Sequence, residues 1–238
     1  MALPFFYKKD ISDASATTLD EDTSKHIVQV LRMQNGEQLQ LTDGKGNLFT
    51  AAITENNRKR CEVTIISATG HQRPATNVSV AISLLKNSSR FEWFLEKATE
   101  IGVGSIIPLI CERTEKNVLK TERMKSILVS AMLQSQQCWL PVLSEPVKFD
   151  KLWQSPGPQQ HADQKFIAHC IEGEKRELSD MMNPNLSSKI ILLGPEGDFT
   201  AHEVELALHH HFIPVALGST RLRTETAGVV AATLLALH

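Results

Sequence analysis

The sequence predicts an α/β chain in two parts: a small β-rich barrel over residues 1–72 and a mostly parallel sheet with helices over residues 73–238. Three observations predict it. Residues up to about 72 alternate polar and apolar with period two. Beyond residue 78, near-continuous apolar runs alternate with stretches of helical spacing. A polar segment containing proline, HQRPATN at 71–77, divides the two patterns. The 238 residues suit one or two domains, and 42% apolar with 22% charged residues excludes disordered, collagen-like and low-complexity classes.

The elements follow in order. Gln38-Leu39-Gln40-Leu41, the turn Asp43-Gly44-Lys45-Gly46-Asn47, and the alternating Phe49, Ala51 and Ile53 predict a hairpin. Val63 and Ile65 begin a further strand. Between Lys25 and Met33 a short helical pattern puts Ile27, Val30 and Leu31 on one face. Val78–Leu85 reads as a strand buried on both faces. Asn87-Ser88-Ser89 caps a helix carrying Phe91, Phe94, Leu95, Ala98 and Ile101, which Gly102 ends. A strand over Ser105–Cys111 follows, then a helix from Thr121 to Gln137 with Met124, Ile127, Leu128 and Ala131 on one face. Ser155-Pro156-Gly157-Pro158 is a loop. Strands are predicted at Phe166–Ile171, Ile190–Leu193 and Phe212–Leu217, and helices at Glu174–Met182, Ala201–His211 and Thr224 to the end. No internal repeat is present.

Lys plus Arg is 25 and Asp plus Glu is 27, a net charge of −2 that excludes a basic tail but not a local basic patch. No run reaches the roughly 18 apolar residues needed to span a bilayer, and Lys8 and Lys9 come too early for a signal peptide. Cys61, Cys111, Cys138 and Cys170 are scattered, and three of them (Cys61, Cys111 and Cys170) sit in apolar runs. These features predict a reduced, cytoplasmic protein with no disulfide framework, no zinc site and no membrane segment.

Ligands of open α/β sheets bind beyond the carboxyl ends of the strands, and two such ends are unusual. In Leu193-Gly194-Pro195-Glu196-Gly197-Asp198-Phe199-Thr200, a strand runs into a glycine-flanked turn, and Thr200 with Glu203 forms a T-x-x-E capping box. A plain strand-to-helix turn would explain this segment equally. The second is Leu217-Gly218-Ser219-Thr220-Arg221-Leu222-Arg223-Thr224-Glu225. A helix start explains Thr224 and Glu225, whereas Arg221 and Arg223 at a positive helix end point to an anionic or polar ligand. No P-loop, H-E-x-x-H or G-x-S-x-G is present, and Gly44-Lys45-Gly46 is a hairpin turn. His209-His210-His211 cannot share one helix face, so a solvated helix end is the better reading than a metal site.

G-P-E-G at 194–197, L-G at 217–218 and L-R-T-E-T-A at 222–227 resemble the RsmE family of 16S rRNA uridine-N3 methyltransferases, in the SPOUT superfamily. The resemblance runs through the chain. His26 to Arg32 is similar to that family's H-x-x-x-V-L-R, Glu96 to Val103 to its E-K-x-T-E-[LI]-G-V, and Gln134-Ser135 with Pro141 to its Q-[SC]…P. Departures from the pattern are Asp198, Gln137, Trp139, Thr220, and Lys8 and Lys9 in place of an early arginine pair. They bear on RNA contacts more than on the cofactor.

The resemblance implies an N-terminal PUA-like β-barrel that binds RNA and a C-terminal SPOUT domain with a deep trefoil knot. It also implies S-adenosylmethionine (SAM) as methyl donor, no metal, a homodimer, and 16S rRNA or the small subunit as partner. Cofactor contacts map to His169, Leu193, Gly194, Glu196, Gly197, Leu217, Gly218, Leu222 and Thr224. Arg223 is expected to favour the uridine anion, with Glu225 orienting it or taking the N3 proton. Lys8, Lys9, Lys25, Arg32, Arg58, Lys59 and Arg60 are the expected RNA contacts. A solvated turn explains 58–60 without the resemblance, and Arg32 and His26 serve equally as structural pins. The alternatives are a SPOUT methyltransferase acting on another RNA position and a non-catalytic RNA-binding module.

Overall fold

The structure, a computed structural model, describes residues 3–11, 16–154, 156–173 and 175–237. Two sheets organise it. The chain divides into one unit of Met1–Arg73 with Met132–Leu140 and another of Pro74–Ala131 with Pro141–His238.

In the first unit, β1 (Phe5–Tyr7), β2 (Ala16–Thr18), β3 (Gln38–Thr42), β4 (Asn47–Glu55) and β5 (Glu62–Gly70) form a sheet of order β1-β3-β4-β5-β2. The predicted hairpin is present, with Leu41 paired to Phe49 and Leu39 to Ala51. Its turn is closed by the Asp43 carboxylate, which accepts from the Lys45 N–H (2.8 Å) and from Asn47 Nδ2 (2.7 Å). Alternate residues Leu39, Leu41, Phe49, Ala51, Ile53 and Val63 are buried in one core. Segment 132–140 joins this unit: Leu140 N–H donates to the Gly44 carbonyl (2.9 Å), and Trp139 bridges Lys45.

The predicted helix at 25–33 needs correction. A short helix, α1 (Glu21–Lys25), is capped by Asp20, and the chain then winds as a π-turn over His26–Val30, where Leu31 N–H donates to the His26 carbonyl (2.9 Å). The wider i→i+5 ring changes the angular step between side chains. Ile27 is therefore buried while Val30 and Leu31 are 64% and 41% exposed. Arg32 ends the turn in the left-handed region at φ 56°.

The second unit contains β6 (Asn77–Ser83), α2 (Ser88–Ile101), β7 (Ser105–Ile110), α3 (Thr121–Gln134), β8 (Val142–Leu143) and β9 (Val147–Lys148). A 3-10 turn (Phe149–Gln154) leads to α4 (Pro158–His161), β10 (Gln164–Ala168), β11 (Arg176–Glu177), α5 (Leu178–Met181), β12 (Ser188–Leu193), α6 (Ala201–His209), β13 (Ile213–Ala216) and α7 (Thr224–Leu237). The strands pair in the order β11-β13-β10-β12-β6-β7-β8, with β9 also on β7, and every pairing is parallel. Such a sheet needs cover on both faces. Ile190 and Leu192 of β12 join the core with Phe149, Phe199, Ala207 and Phe212. α2 and α7 also pack against one another, α7 against β6 and β12 as well. Gly228 of α7 makes that approach possible, since a Cβ there would lie 2.6 Å from the Phe94 ring.

Three expectations shift here. β10 stops at Ala168 rather than Ile171, so Cys170 is exposed instead of buried. The helix expected at 174–182 is a two-residue strand and a one-turn helix, with residue 174 outside the described residues. α3 ends at Gln134, and Gln136 takes φ 57°. His210, expected to be solvated, stacks on Trp153 with ring centroids 4.0 Å apart. No described helix is long and apolar enough to cross a membrane.

Candidate functional site

β10, β12 and β13 lie side by side with β10 in the middle, so the loops leaving their carboxyl ends converge. These loops, 169–175, 194–200 and 217–223, enclose a cavity of about 560 Å³, within the ~300–1,000 Å³ range of small-ligand sites. Its lining includes His169, Leu193, Gly194, Glu196, Leu217, Gly218, Leu222, Arg223 and Thr224 from the expected set. Lys175, Asp198, Arg221 and Ala227 line it too. The sequence pattern did not single out Lys175.

Hydrogen bonds tie the loops to one another. Asp198 stands at φ 64°, a left-handed conformation where glycine is usual, and its carboxylate accepts the Cys170 N–H at 2.8 Å. Lys175 Nζ donates to the carbonyls of His169 (2.9 Å) and Ile171 (2.6 Å), which closes the first loop on itself. Glu177 accepts the Gly218 N–H at 2.9 Å. Gly218 is at φ 108°, with open space where a side chain would project. The 194–200 loop is held from behind. Arg113 Nη1 donates to the Gly197 carbonyl (2.8 Å), and Glu203 accepts both the Thr200 N–H (2.8 Å) and the Glu112 N–H (2.9 Å). The predicted capping box is therefore present, with one carboxylate oxygen committed to the strand β7 side.

Two expected residues do not line the cavity. Gly197 packs against the Arg113 side chain at 3.4 Å. Glu225 is buried in the first turn of α7, with Arg90 Nε at 3.5 Å and its Oε2 without a partner. Arg90 of α2, rather than Arg223, is thus the neighbour of Glu225. The tight turn at Gly194 has a structural cause as well: a Cβ there would lie 3.0 Å from the Phe199 nitrogen. Arg221 and Arg223 are exposed at the cavity edge, just before the α7 N-terminus.

His169 is the buried polar group facing this space. Its Nδ1 is buried and has no partner. Burial first, and then the Lys175 ammonium, push its pKa below the ordinary histidine range, against the opposing pull of Asp198. The ring is therefore neutral near pH 7, and an unpaired buried nitrogen is a costly state that a bound polar ligand would relieve.

In the first unit, Lys25 pairs with Glu21 at 2.9 Å, and Arg58 and Lys59 also act on that carboxylate. Arg60 is exposed in the same β4–β5 turn, and Lys9 and Arg32 are exposed elsewhere on the unit, with Lys8 half-buried. Three of the seven expected RNA contacts are thus gathered around one glutamate. Sequence reasoning missed Arg73, whose guanidinium lies 5.1 Å over the Trp139 ring.

An α/β sheet that closes three strand-end loops around one cavity defines a small-ligand-binding α/β protein with its site at the strand carboxyl ends. A family profile described as "RNA methyltransferase domain" matches residues 71–236, and one described as "RNA methyltransferase PUA domain" matches residues 19–66. The chain belongs to this RNA methyltransferase family. Among curated relatives, "Ribosomal RNA small subunit methyltransferase E" of Synechocystis is 30% identical, the match covering 91% of this chain and 71% of that one. The Bacillus subtilis protein of the same name is 27% identical over 94% and 91%. Among solved structures, a "probable rRNA-methyltransferase" from Porphyromonas gingivalis superposes with a TM-score of 0.87 at 39% identity, over 97% of this chain and 95% of that one. "Ribosomal RNA small subunit methyltransferase E" from Neisseria gonorrhoeae, bound to S-adenosyl methionine, gives 0.82 at 29% identity over 97% and 95%.

Proposed function

We propose that this chain transfers a methyl group from SAM to N3 of a uridine in 16S rRNA of the small ribosomal subunit. The observation that carries the reading is the cavity held by the three tethered loops at the ends of β10, β12 and β13. The names of the relatives and the cofactor of the Neisseria structure support it. The residues fit such a nucleoside: the unpaired His169 Nδ1 is available to hydrogen bond, and Gly218 leaves open space beside its backbone. Leu193, Gly194, Glu196, Leu217, Leu222 and Thr224 complete the contact set, and Gly197 acts through the loop that Arg113 holds.

Bound SAM supplies a methyl group already activated on a sulfonium, so the protein's task is alignment and charge. Uridine N3 must lose a proton, and the negative charge then spreads to the flanking carbonyl oxygens. Arg223, at the cavity edge, offers those oxygens planar, permanently charged donors. Glu225 serves by holding Arg90, fixing α2 to the start of α7. The target base must be unpaired or flipped out, since Watson–Crick pairing hides N3.

The same reading assigns the β12–α6–β13 passage, which carries the chain across β10, to a deep trefoil knot. It assigns the first unit, as residues 1–72, to a PUA-like barrel whose Lys25, Arg58 and Lys59 cluster grips phosphate, with Lys8, Lys9, Arg32 and Arg60 around it. Residues 73–238 form the SPOUT methyltransferase domain. A homodimer is supported by α7, whose Val229, Val230 and Leu234 stay half-exposed, and by Trp93 of the adjacent α2, which is 43% exposed. The protein works in the cytoplasm, where its rRNA is. Mass spectrometry of small-subunit rRNA nucleosides from cells lacking the protein tests the assignment. Loss of N3-methyluridine is expected; an unchanged level of that nucleoside refutes it, and loss of a different methylated nucleoside reassigns the position.

A further inference from the structure

A second cavity, of about 270 Å³, opens between the first turn of α2 and the start of α3. Its floor is apolar: Leu85, Phe91 and Met124 are each 2% exposed. Its rim is basic: Lys116, Lys120 and Arg123 stand against one carboxylate, Glu92. Arg123 already grips Glu92 with two bonds of 2.7 Å, so that pair is internally neutral. Lys116 and Lys120 have no ion pair among the described residues. The first turn of α2 carries no acidic residue, though carboxylates favour that position, and instead presents Ser88 and Ser89 to the cavity. An apolar slot with two free ammonium groups at a helix N-terminus suits a planar base below and an anionic phosphate at the rim.

The turn that forms one wall of this slot also reaches the first cavity. Lys86 N–H points to Glu196 Oε1 at 3.4 Å, and Arg90 lies 3.5 Å from Glu225. Glu196 lines the first cavity. The two spaces therefore lie on either side of residues 84–90.

We propose that this slot holds a nucleotide of single-stranded RNA flanking the uridine offered to the first cavity, its base on Leu85 and Phe91 and its phosphate on Lys116 and Lys120. This rests on the methyltransferase reading above and adds where the strand runs. The test uses the full-length protein and a K116E/K120E variant. A fluorescein-labelled single-stranded RNA with a central uridine is titrated by anisotropy across salt concentrations, and methyl transfer to small-subunit rRNA is measured in parallel.

The variant is expected to bind the oligonucleotide at least tenfold more weakly. Its log K against log salt slope should fall by about 1.4, at roughly 0.7 per lost single-strand phosphate contact. KM for rRNA should rise while kcat and SAM affinity stay within twofold. A Lys116→Gln/Lys120→Gln variant should lie between. An unchanged salt slope overturns the proposal, and so does a raised KM for assembled subunits with unchanged oligonucleotide binding, which would mean the slot meets a protein. If the wild-type protein transfers no methyl group, the enzyme reading fails, and the anisotropy still decides the slot.

Discussion

Asp198 offers a perturbation whose magnitude can be worked from the structure. The residue holds φ 64° and ties two cavity loops through its 2.8 Å bond from the Cys170 N–H. Left-handed backbone costs a side-chain-bearing residue about 1 kcal/mol, less for Asp and Asn and nothing for Gly. A hydrogen bond to a charged group contributes about 1.5–3 kcal/mol, and the half-exposed position of this one favours the low end. Asp198→Gly removes strain and bond together and should fall within about 1 kcal/mol of wild type. Asp198→Ala removes the bond and keeps the strain, so it should lose roughly 1.5–2.5 kcal/mol. Asp198→Asn keeps a neutral bond and should lose about 0.5–1 kcal/mol. Urea denaturation at constant m-value reads these differences, and SAM titration should rank Ala as the weakest binder, because its loop is both untied and strained. An Ala variant as stable as wild type, or more stable than the Gly variant, would refute the tether argument.

Other outcomes follow from neighbouring residues. Gly228→Val should lower the melting temperature by several degrees, from about 1–3 kcal/mol of overpacking against Phe94; an unchanged melting temperature would mean α2 and α7 are not in close contact. Arg223→Ala should abolish methyl transfer while leaving SAM affinity nearly intact, checked by calorimetry beside turnover; near-normal turnover places the charge stabilisation elsewhere. His169 has a pKa below its ordinary value, so the unfolded chain takes up the proton first as pH falls. Stability from its neutral form is full above about 6.5, the ordinary value, and declines as pH drops from there toward the folded pKa. His169→Asn should flatten that limb of the stability–pH curve, and a variant with the wild-type limb would show that another group titrates there.

Much of the fold was legible because local signals agreed with tertiary ones. The hairpin at 38–55 had alternation and an Asp-Gly turn, α2 had Asn87 and Gly102 at its ends, and α6 had its capping box. The π-turn at 26–30 was not legible, because a 3.6-residue period cannot be told from a wider one over a single turn. The excursion of 132–140 into the first unit was equally hidden, since it depends on Leu140 meeting Gly44 far away in sequence. In the site, glycine and arginine positions marked the second and third loops. The first loop was blurred because the apolar run continues past Ala168, which masked the point where His169 and Cys170 leave the sheet. The Arg90–Glu225 pair joins elements far apart in sequence, and no local pattern announces it.

The central claim is that the loops at 169–175, 194–200 and 217–223 together bind SAM, and titration calorimetry of the purified chain tests it most directly. Wild type should bind SAM, and S-adenosylhomocysteine should compete for the same site. Ala227→Phe, which puts a ring into the cavity lining, should lose that binding while its circular dichroism stays that of the wild type. No binding by the wild type, or undiminished binding by the folded Ala227→Phe variant, would contradict the account.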